Sequence, residues 1–527
     1  MGDTVREQQR NVFDEQVFQN NYYDSVDIAD FIDVASLESD FWSDLIQDKG
    51  NQDCWPTPKI HSIEDEISEI IYSTHKSEES ITQLEHGMDT VHSCSPDEEA
   101  VNYDYSSGST NFSFDCDAFF QHTSTDSEEF KGLRLVHFLT ACAEAISHGK
   151  HDLVEILFFR LTELVSPIGT SMERVAFHLS HSLRHAHLRL LGANADDMFK
   201  GCNNVIQDPN YVGAFTLLNL VYPYIRFAHF TANQSILEAV NLYLEMEEDP
   251  DTHLNARAVS GPWVLWIIDF DIREGLQWPP LMEALKSEAT KLRGLRLTAI
   301  KWHDDDDEQF SCNNTGRRLS EYASSLGIPF SFEEMEVGNL KGNLRQKEDE
   351  VIAVNCMWEL PHMGKRSKQL LADLINGVRH LKPVILTVGS GPAGMDNHEN
   401  LNFTERFNEC LRNLCAVFDS SQVGLAEKFG LARANVENLF LGPMVCRSMN
   451  YLRDNIQEWD LIPVMDLALK SGFVERDISD GNILYAKYIL AGSEGGRCYT
   501  VELMGKHQLL LKWNSTSLVC VSSFRAL

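Results

Sequence analysis

The chain has 527 residues, 79 acidic and 44 basic side chains, a formal net charge of −35 and 43 % apolar residues. This is roughly two to four domains' worth of chain. The acid excess argues against a self-sufficient nucleic-acid binder, which needs surplus Lys and Arg to neutralise phosphates, and against docking on anionic membranes. No apolar run approaches the roughly 18 residues of a membrane-spanning helix. The opening MGDTVREQQRNVFDEQ lacks the apolar stretch of a secretory leader, and Arg6 stands where a myristoylation signal needs Ser or Thr.

The charge is unevenly placed. Residues 1–130 hold 30 acids and 5 bases, a net of −25, which leaves −10 for the other 397 residues. The first 130 residues are rich in Ser, Asp, Glu, Asn and Gln and have no sustained periodicity, so they read as a disordered acidic region. Within it, DIADFIDVASLESDFWSDLIQD interleaves acids with Phe31, Phe41, Trp42 and Leu45 among other apolar residues. A second aromatic patch lies at Phe112, Phe114, Phe119 and Phe120. Such alternation keeps aromatics solvated yet available to a partner groove, the composition of an activation segment that folds on binding.

Helical periodicity begins near Leu133. Leu135, Leu139, Cys142 and Ile146 form one face, and a break follows at Ser147-His148-Gly149. Val154, Leu157, Leu161, Leu164 and Ile168 then recur at 3,4,3,4 spacing. That stripe fits a bundle face or a dimer face. Further helices are expected at 171–191, at 211–228 and over ANQSILEAVNLYLEM, giving a helical cap over 131–255.

At Trp263 the pattern changes. WVLWIIDF, LRLTAI, FSFEEMEV, VIAVNCMW and PVILTVG read as strands that alternate with helices over PPLMEALKSEATKL, GRRLSEYASSLG, KQLLADLINGVRHL and FTERFNECLRNLCAVFDS. YTVELM, LLLKW and SLVCVSSF then read as antiparallel strands joined at Gly505-Lys506 and Asn514-Ser515. Parallel units that end in a hairpin define an α/β fold, 256–527, with a Rossmann-like, methyltransferase-type sheet.

The residues argue against catalysis. In such sheets ligands sit at the carboxyl ends of the strands. The loop after the first strand, DFDIREGLQW, has one glycine, Gly275, where a nucleotide or S-adenosylmethionine cradle needs several; Ile272, Leu276 and Trp278 fill the space. Gly389-Ser390-Gly391-Pro392-Ala393-Gly394 spells G-x-G-x-x-G, but no helix opens directly after it, so it reads as a loop. The run Asp304–Asp307 reads as a solvated loop, and His178, His181, His185 and His187, mostly along one helix, as surface or core-edge histidines. The twelve cysteines form no C-x-x-C, which suits reduced thiols in a nuclear or cytosolic protein. No metal, cofactor or catalytic residue is expected. The alternative is a degenerate methyltransferase-like domain that binds a small molecule.

Several segments are specific enough to name a family. YPYIRFAHFTANQSILEAV, WIIDFDIREGLQWPPLMEAL, TGRRLSEYASSLGIPFSF, AVNCMWELPHM and LLLKWNSTSLVCVSSF together resemble the GRAS family of plant transcriptional regulators. Trp266, Ile267, Ile268, Asp269, Gln277 and Trp278 fall in its VHIID block, with Trp266 in place of the usual His. Trp513, Ser522 and Phe524 fall in its SAW region, where Ser522-Ser523-Phe524 replaces Ser-Ala-Trp. LVHFLTACAEAI, Met172-Glu173-Arg174, the DFDIREGLQW form of the VHIID block and NCMWELPHM most resemble the nodulation-signalling-pathway branch, in particular its second member.

The resemblance implies a nuclear regulator, present also in cytoplasm, whose α/β core is a scaffold rather than an enzyme. It implies a first leucine-rich region near 133–240, a second one, and a PFYRE region. It also implies a partner that is another GRAS protein, as hetero- or homodimer, with promoter DNA reached through that partner. The role implied is in nodulation and mycorrhizal symbiosis. Val154, Leu157, Leu161, Leu164, Ile168, Phe230 and Asn233 are the expected partner-contact residues.

Overall fold

A computed structural model describes residues 128–191, 211–248, 263–287, 292–302, 312–339, 344–358, 360, 367–391, 402–424, 430–450, 462–491 and 497–527. The expected activation segment with Phe31, Phe41, Trp42 and Leu45 lies outside these residues, as do Asp304–Asp307 and Pro392–Gly394.

The parallel half of the sheet comprises β1 (Trp263–Asp269), β2 (Leu292–Lys301), β3 (Phe330–Glu336), β4 (Glu350–Met357) and β5 (Ile385–Ser390). The remaining strands are β6 (Phe473–Glu475), β7 (Tyr499–Met504), β8 (Gln508–Trp513) and β9 (Thr516–Ala526). Their order is β3-β2-β1-β4-β5-β9-β8-β7, with β6 paired to β9. All pairs from β3 to β5 are parallel, and β9, β8 and β7 are antiparallel. This is the expected methyltransferase-type arrangement. β4 is buried at every position because helices cover both faces, which is why its sequence runs apolar without alternation.

One face packs against α5 (Pro223–Glu248), α6 (Trp278–Ser287) and α7 (Cys312–Leu326), through Ile236, Leu265, Ile267, Leu281, Leu297 and Leu319. The other packs against α8 (Lys368–Arg379) and α12 (Val464–Lys470), through Trp266, Ile268, Ile375, Val378, Leu467 and Phe524. The sequence places a helix end near 228. Instead α4 (Tyr211–Val221) stops at Tyr222 and α5 runs unbroken for 26 residues. Pro223, which has no N–H to donate, ends the one helix and starts the other at its first turn.

The cap joins two distant stretches of chain. Helices α1 (Glu128–Ser147), α2 (His151–Thr162) and α3 (Ser171–Leu190) pack with α4, α9 (Phe403–Gly424), α10 (Gly430–Val436) and α11 (Gly442–Asn450) over the antiparallel end of the sheet. The block 131–255 drawn from sequence is therefore one part of the cap, and α5 within it lies on the sheet. Gly149, at φ 64, closes α1, with Lys150 N–H donating to the Ala145 carbonyl at 2.9 Å. Thr170 and Glu173 start α3 with reciprocal side-chain-to-backbone bonds of 2.8 and 3.4 Å.

Between α10 and α11 the chain makes a π-helical turn, Glu437–Leu441. It aims Glu437 into the cap, where the carboxylate accepts from Arg174 Nε at 3.0 and 3.1 Å and from Ser421 Oγ at 2.8 Å. Both charged side chains are fully buried. Arg174 spends its other donors on the Gly169 and Phe418 carbonyls at 2.8 and 2.9 Å and on Gln422 Oε1 at 3.0 Å. Burial pushes the Glu437 carboxyl up, and Arg174 and Ser421 pull it back.

Glu437→Ala leaves the Arg174 charge buried and unpaired, so a loss of about 3–5 kcal/mol is expected in chemical denaturation. The volume-matched double variant Arg174→Met/Glu437→Leu is expected to recover part of it, because buried Arg433, 3.9 Å from Glu437, still loses that carboxylate. The cap also has a pH response. Burial, then the neighbouring charges of His181 and Arg174, hold His178 at about 3, whereas in an unfolded chain it titrates near 6.5. Above pH 6.5 both states are neutral and stability is full. Below it the unfolded chain takes up a proton that the native state refuses, so stability falls by up to about 1.4 kcal/mol per pH unit. His178→Gln is expected to reduce the slope of stability against pH by about that amount between pH 6.5 and 5, read from denaturation midpoints at successive pH values.

Candidate functional site at the carboxyl ends of the parallel strands

The carboxyl ends of β1, β4 and β5 meet beneath α5, where a doubly wound sheet would hold a ligand. Here the chain's own polar side chains fill the space. Asp269, the last residue of β1, accepts from Trp278 Nε1 at 2.9 Å, from Asn355 Nδ2 at 3.1 Å and from the Asp271 N–H at 3.1 Å. Asn355, on β4, and Gln277 exchange amide hydrogen bonds of 2.9 and 3.0 Å. Gln277 also donates to Asn233 Oδ1 at 3.2 Å, and Asn233 Nδ2 donates to the Gln277 carbonyl at 2.7 Å. Thr387, on β5, donates to Asn355 Oδ1 at 2.9 Å. All of these residues are buried.

The loop that would have to open for a ligand is clamped shut. Thr315 Oγ1, on α7, donates to the Arg273 carbonyl at 2.9 Å, and Arg318 pairs with Glu274. Gly275 has φ 77, and a Cβ there would lie 2.7 Å from Thr315 Cγ2. Its missing side chain thus admits α7 rather than a phosphate. Ile272, Leu276 and Trp278 are buried, as their apolar character predicts. The void against this loop measures about 10 Å³, the room of a single water. Gly389, the first glycine of the G-x-G-x-x-G sequence, packs on Met357: a Cβ there would fall 2.6 Å from its sulfur.

The remaining VHIID residues serve the sheet. Trp266 donates from Nε1 to Thr298 Oγ1 at 2.8 Å, and Arg296 stacks 4.0 Å above its ring. Ile267 and Ile268 are core residues of opposite faces. In the SAW region, Trp513 Nε1 donates to Asp419 Oδ2 at 2.8 Å, tying β8 to α9. Ser522 Oγ contacts Met465 Sδ at 2.7 Å, and Phe524 is buried against α8 and α12.

Val154, Leu157 and Leu161 are enclosed in the cap's own core, so the regular stripe is a bundle face. Leu164 and Ile168 lie beyond the end of α2: Leu164 is partly buried and Ile168 is 56 % exposed. Helical spacing fails there because Ser166-Pro167 turns the chain. Phe230 stacks on Tyr485 of α13 (Asp480–Ala491), ring centroids 4.6 Å apart, and Asn233 is committed to the amide network. Asn355 and Thr387 were not singled out from sequence. The available signal was a lone Asn in the apolar run VIAVNCMW.

Among the described residues no group of three His, Cys, Asp or Glu is placed to hold a metal, and no helix is long and apolar enough to cross a membrane. Burial pushes the Cys142, Cys410 and Cys415 thiols up to about 12, which leaves them protonated and unreactive. Among the described basic side chains, exposed Arg317 pairs with Glu321 at 3.2 Å, exposed Lys347 lies 3.9 Å from Glu350, and buried Lys368 donates to the Ile462 carbonyl at 3.2 Å.

Asn355→Leu would strip partners from Asp269, Gln277 and Thr387 together. A loss of about 3 kcal/mol or more is expected in denaturation, from buried polar groups left unsatisfied. Calorimetry of the unaltered protein with S-adenosylmethionine is expected to show no binding heat; micromolar binding would contradict the closed site.

The sequence profile of the GRAS domain family matches residues 135–525. Protein NODULATION SIGNALING PATHWAY 2 of Lotus japonicus is 33 % identical over 422 residues, which covers 75 % of this chain and 76 % of that protein. Scarecrow-like protein 26 of Arabidopsis thaliana is 31 % identical, covering 75 % and 78 %. The crystal structure of SCL7 from Oryza sativa superposes with a TM-score of 0.55 at 22 % identity, over 74 % of this chain and 99 % of that one, and so shares the fold. A match spanning nearly the whole described region, over a sheet whose ligand end is filled by its own side chains, leads to one conclusion: the chain belongs to the GRAS domain family.

Proposed function

We propose that this GRAS protein is a nuclear, non-catalytic transcriptional co-regulator that works through protein contacts with a second GRAS protein, in symbiotic signalling. The observation that carries the scaffold reading is the amide network of Asn233, Gln277 and Asn355, which occupies the position a methyltransferase-type sheet keeps open for its cofactor. The symbiotic role is supported by the likeness to the nodulation proteins of Lotus japonicus and Medicago truncatula. The acidic balance favours promoter contact through the partner rather than by this chain alone. The arm of net −25 supplies activation, with Phe31, Phe41, Trp42 and Leu45 as its apolar contacts.

Pull-down of the tagged protein from plant nuclei is expected to recover a second GRAS protein. Removing residues 1–127 is expected to abolish reporter activation while leaving that recovery intact. Loss of both together would contradict the division of labour between arm and fold.

A further inference from the structure

Polar side chains converge on one thioether. Met465 stands in the first turn of α12, and its Sδ lies 2.7 Å from Ser522 Oγ, 3.1 Å from Gln508 Nε2 and 4.0 Å from Cys520 Sγ. The sheet builds this arrangement. Gln508 of β8 pairs in register with Ser522 of β9, and directly opposed residues of antiparallel strands share a face. Cys520 stands two residues before Ser522 on the same strand, so it shares that face as well. Ser522 and Cys520 are fully buried, while Met465 and Gln508 are partly exposed.

A thioether sulfur is a weak acceptor, poorly matched to a buried hydroxyl and a carboxamide N–H. Methionines of a core ordinarily sit among apolar groups, as Met335 and Met444 do here. Oxidation of such a residue puts a polar oxygen where no donor waits, and the packing suffers. Around Met465 the donors are already in place. A sulfoxide oxygen, a far better acceptor than the sulfur, would find Ser522 and Gln508 within reach. Because Met465 is partly exposed, a small oxidant can reach it.

We propose that Met465 is a reversible oxidation site, which takes one oxygen atom from a peroxide and holds the resulting sulfoxide on Ser522 and Gln508. A sulfur lone pair attacks one oxygen of hydrogen peroxide, an S–O bond forms and the O–O bond breaks. The departing hydroxide takes the remaining O–H proton and leaves as water, so sulfur loses two electrons and the peroxide gains them. A dithiol reductase of the methionine sulfoxide class reverses the step, with two thiols becoming a disulfide and the oxygen leaving as water. α12 packs on α8, β5 and β6, and the sulfoxide would add a polar tie from this helix to β8 and β9. The oxidation state of one side chain would then set how firmly α12 is held on the sheet.

Peroxide treatment of the folded full-length protein, followed by peptide mass spectrometry, tests the site. The expected result is one added oxygen on the Met465 peptide, removed again when the folded protein is incubated with methionine sulfoxide reductase and dithiothreitol. Its energetic part is read from chemical denaturation before and after treatment, with Met465→Leu as the reference that subtracts oxidation at exposed Met246 and Met504. In the parent, oxidation of Met465 is expected to leave the unfolding equilibrium nearly unchanged. In Gln508→Leu, and separately in Ser522→Ala, the same oxidation is expected to shift it roughly fivefold toward the unfolded state, the worth of one neutral hydrogen bond. Three results would each overturn the proposal: a Met465 peptide unmodified once Met504 is fully oxidised, a sulfoxide that the reductase leaves in place, or an oxidation cost equal in the parent and both variants, which would make the cluster a packing contact only.

Discussion

The closed end of the sheet turns on a hydrogen-bonded knot of side-chain amides at the carboxyl ends of its parallel strands. Asn355 stands at its centre, joined to Asp269, Gln277 and Thr387, and Gln277 passes the connection to Asn233 on α5. Buried polar groups are costly unless every donor and acceptor is met, and fully met networks hold one arrangement firmly. The knot therefore does two things at once. It binds α5 to three parallel strands, and it takes up the positions from which such sheets ordinarily present backbone donors to a cofactor. The end of the sheet where doubly wound folds hold ligands is filled by this chain's own buried side chains.

The cap has its own centre, the buried pair of Arg174 and Glu437. The partners are 263 residues apart in sequence, and each comes from a different stretch of the cap. A buried ion pair adds little net stability over a well-packed apolar pair, but one partner without the other is heavily penalised. The pair thus specifies that α3 meets the π-helical turn in one register. His178, close enough to Gly442 that a Cβ there would approach within 2.9 Å, extends that tight fit by one more neighbour.

Local chemistry made much of this legible. The strands announced themselves as short apolar runs, the turn at Asn514-Ser515 carries the positive φ values its composition suggests, and the loop with a single glycine is the closed loop found in the structure. The stripe from Val154 to Ile168 shows the limit. Spacing identified a helix face correctly for its first three residues, but it could not say whether that face meets the chain's own core or a partner, because both burials select the same residues. The exposed Leu153, Ile156 and Phe159 on the opposite side break no periodic rule and so gave no signal in sequence.

Sequence by itself determined the layer plan, the strand identities, the family, and the split between an arm of net −25 and a fold of net −10. The family rests on the likeness of whole motif segments; the others rest on periodicity, turn chemistry and composition, which act over a few residues or sum over many. Tertiary structure alone decided which residues close the ligand end, that the cap is assembled from two separated stretches, and which side of α2 faces water. Each of these depends on contacts between residues tens to hundreds of positions apart. Hydrogen-bond reach and burial are properties of the folded arrangement, and no local pattern encodes them.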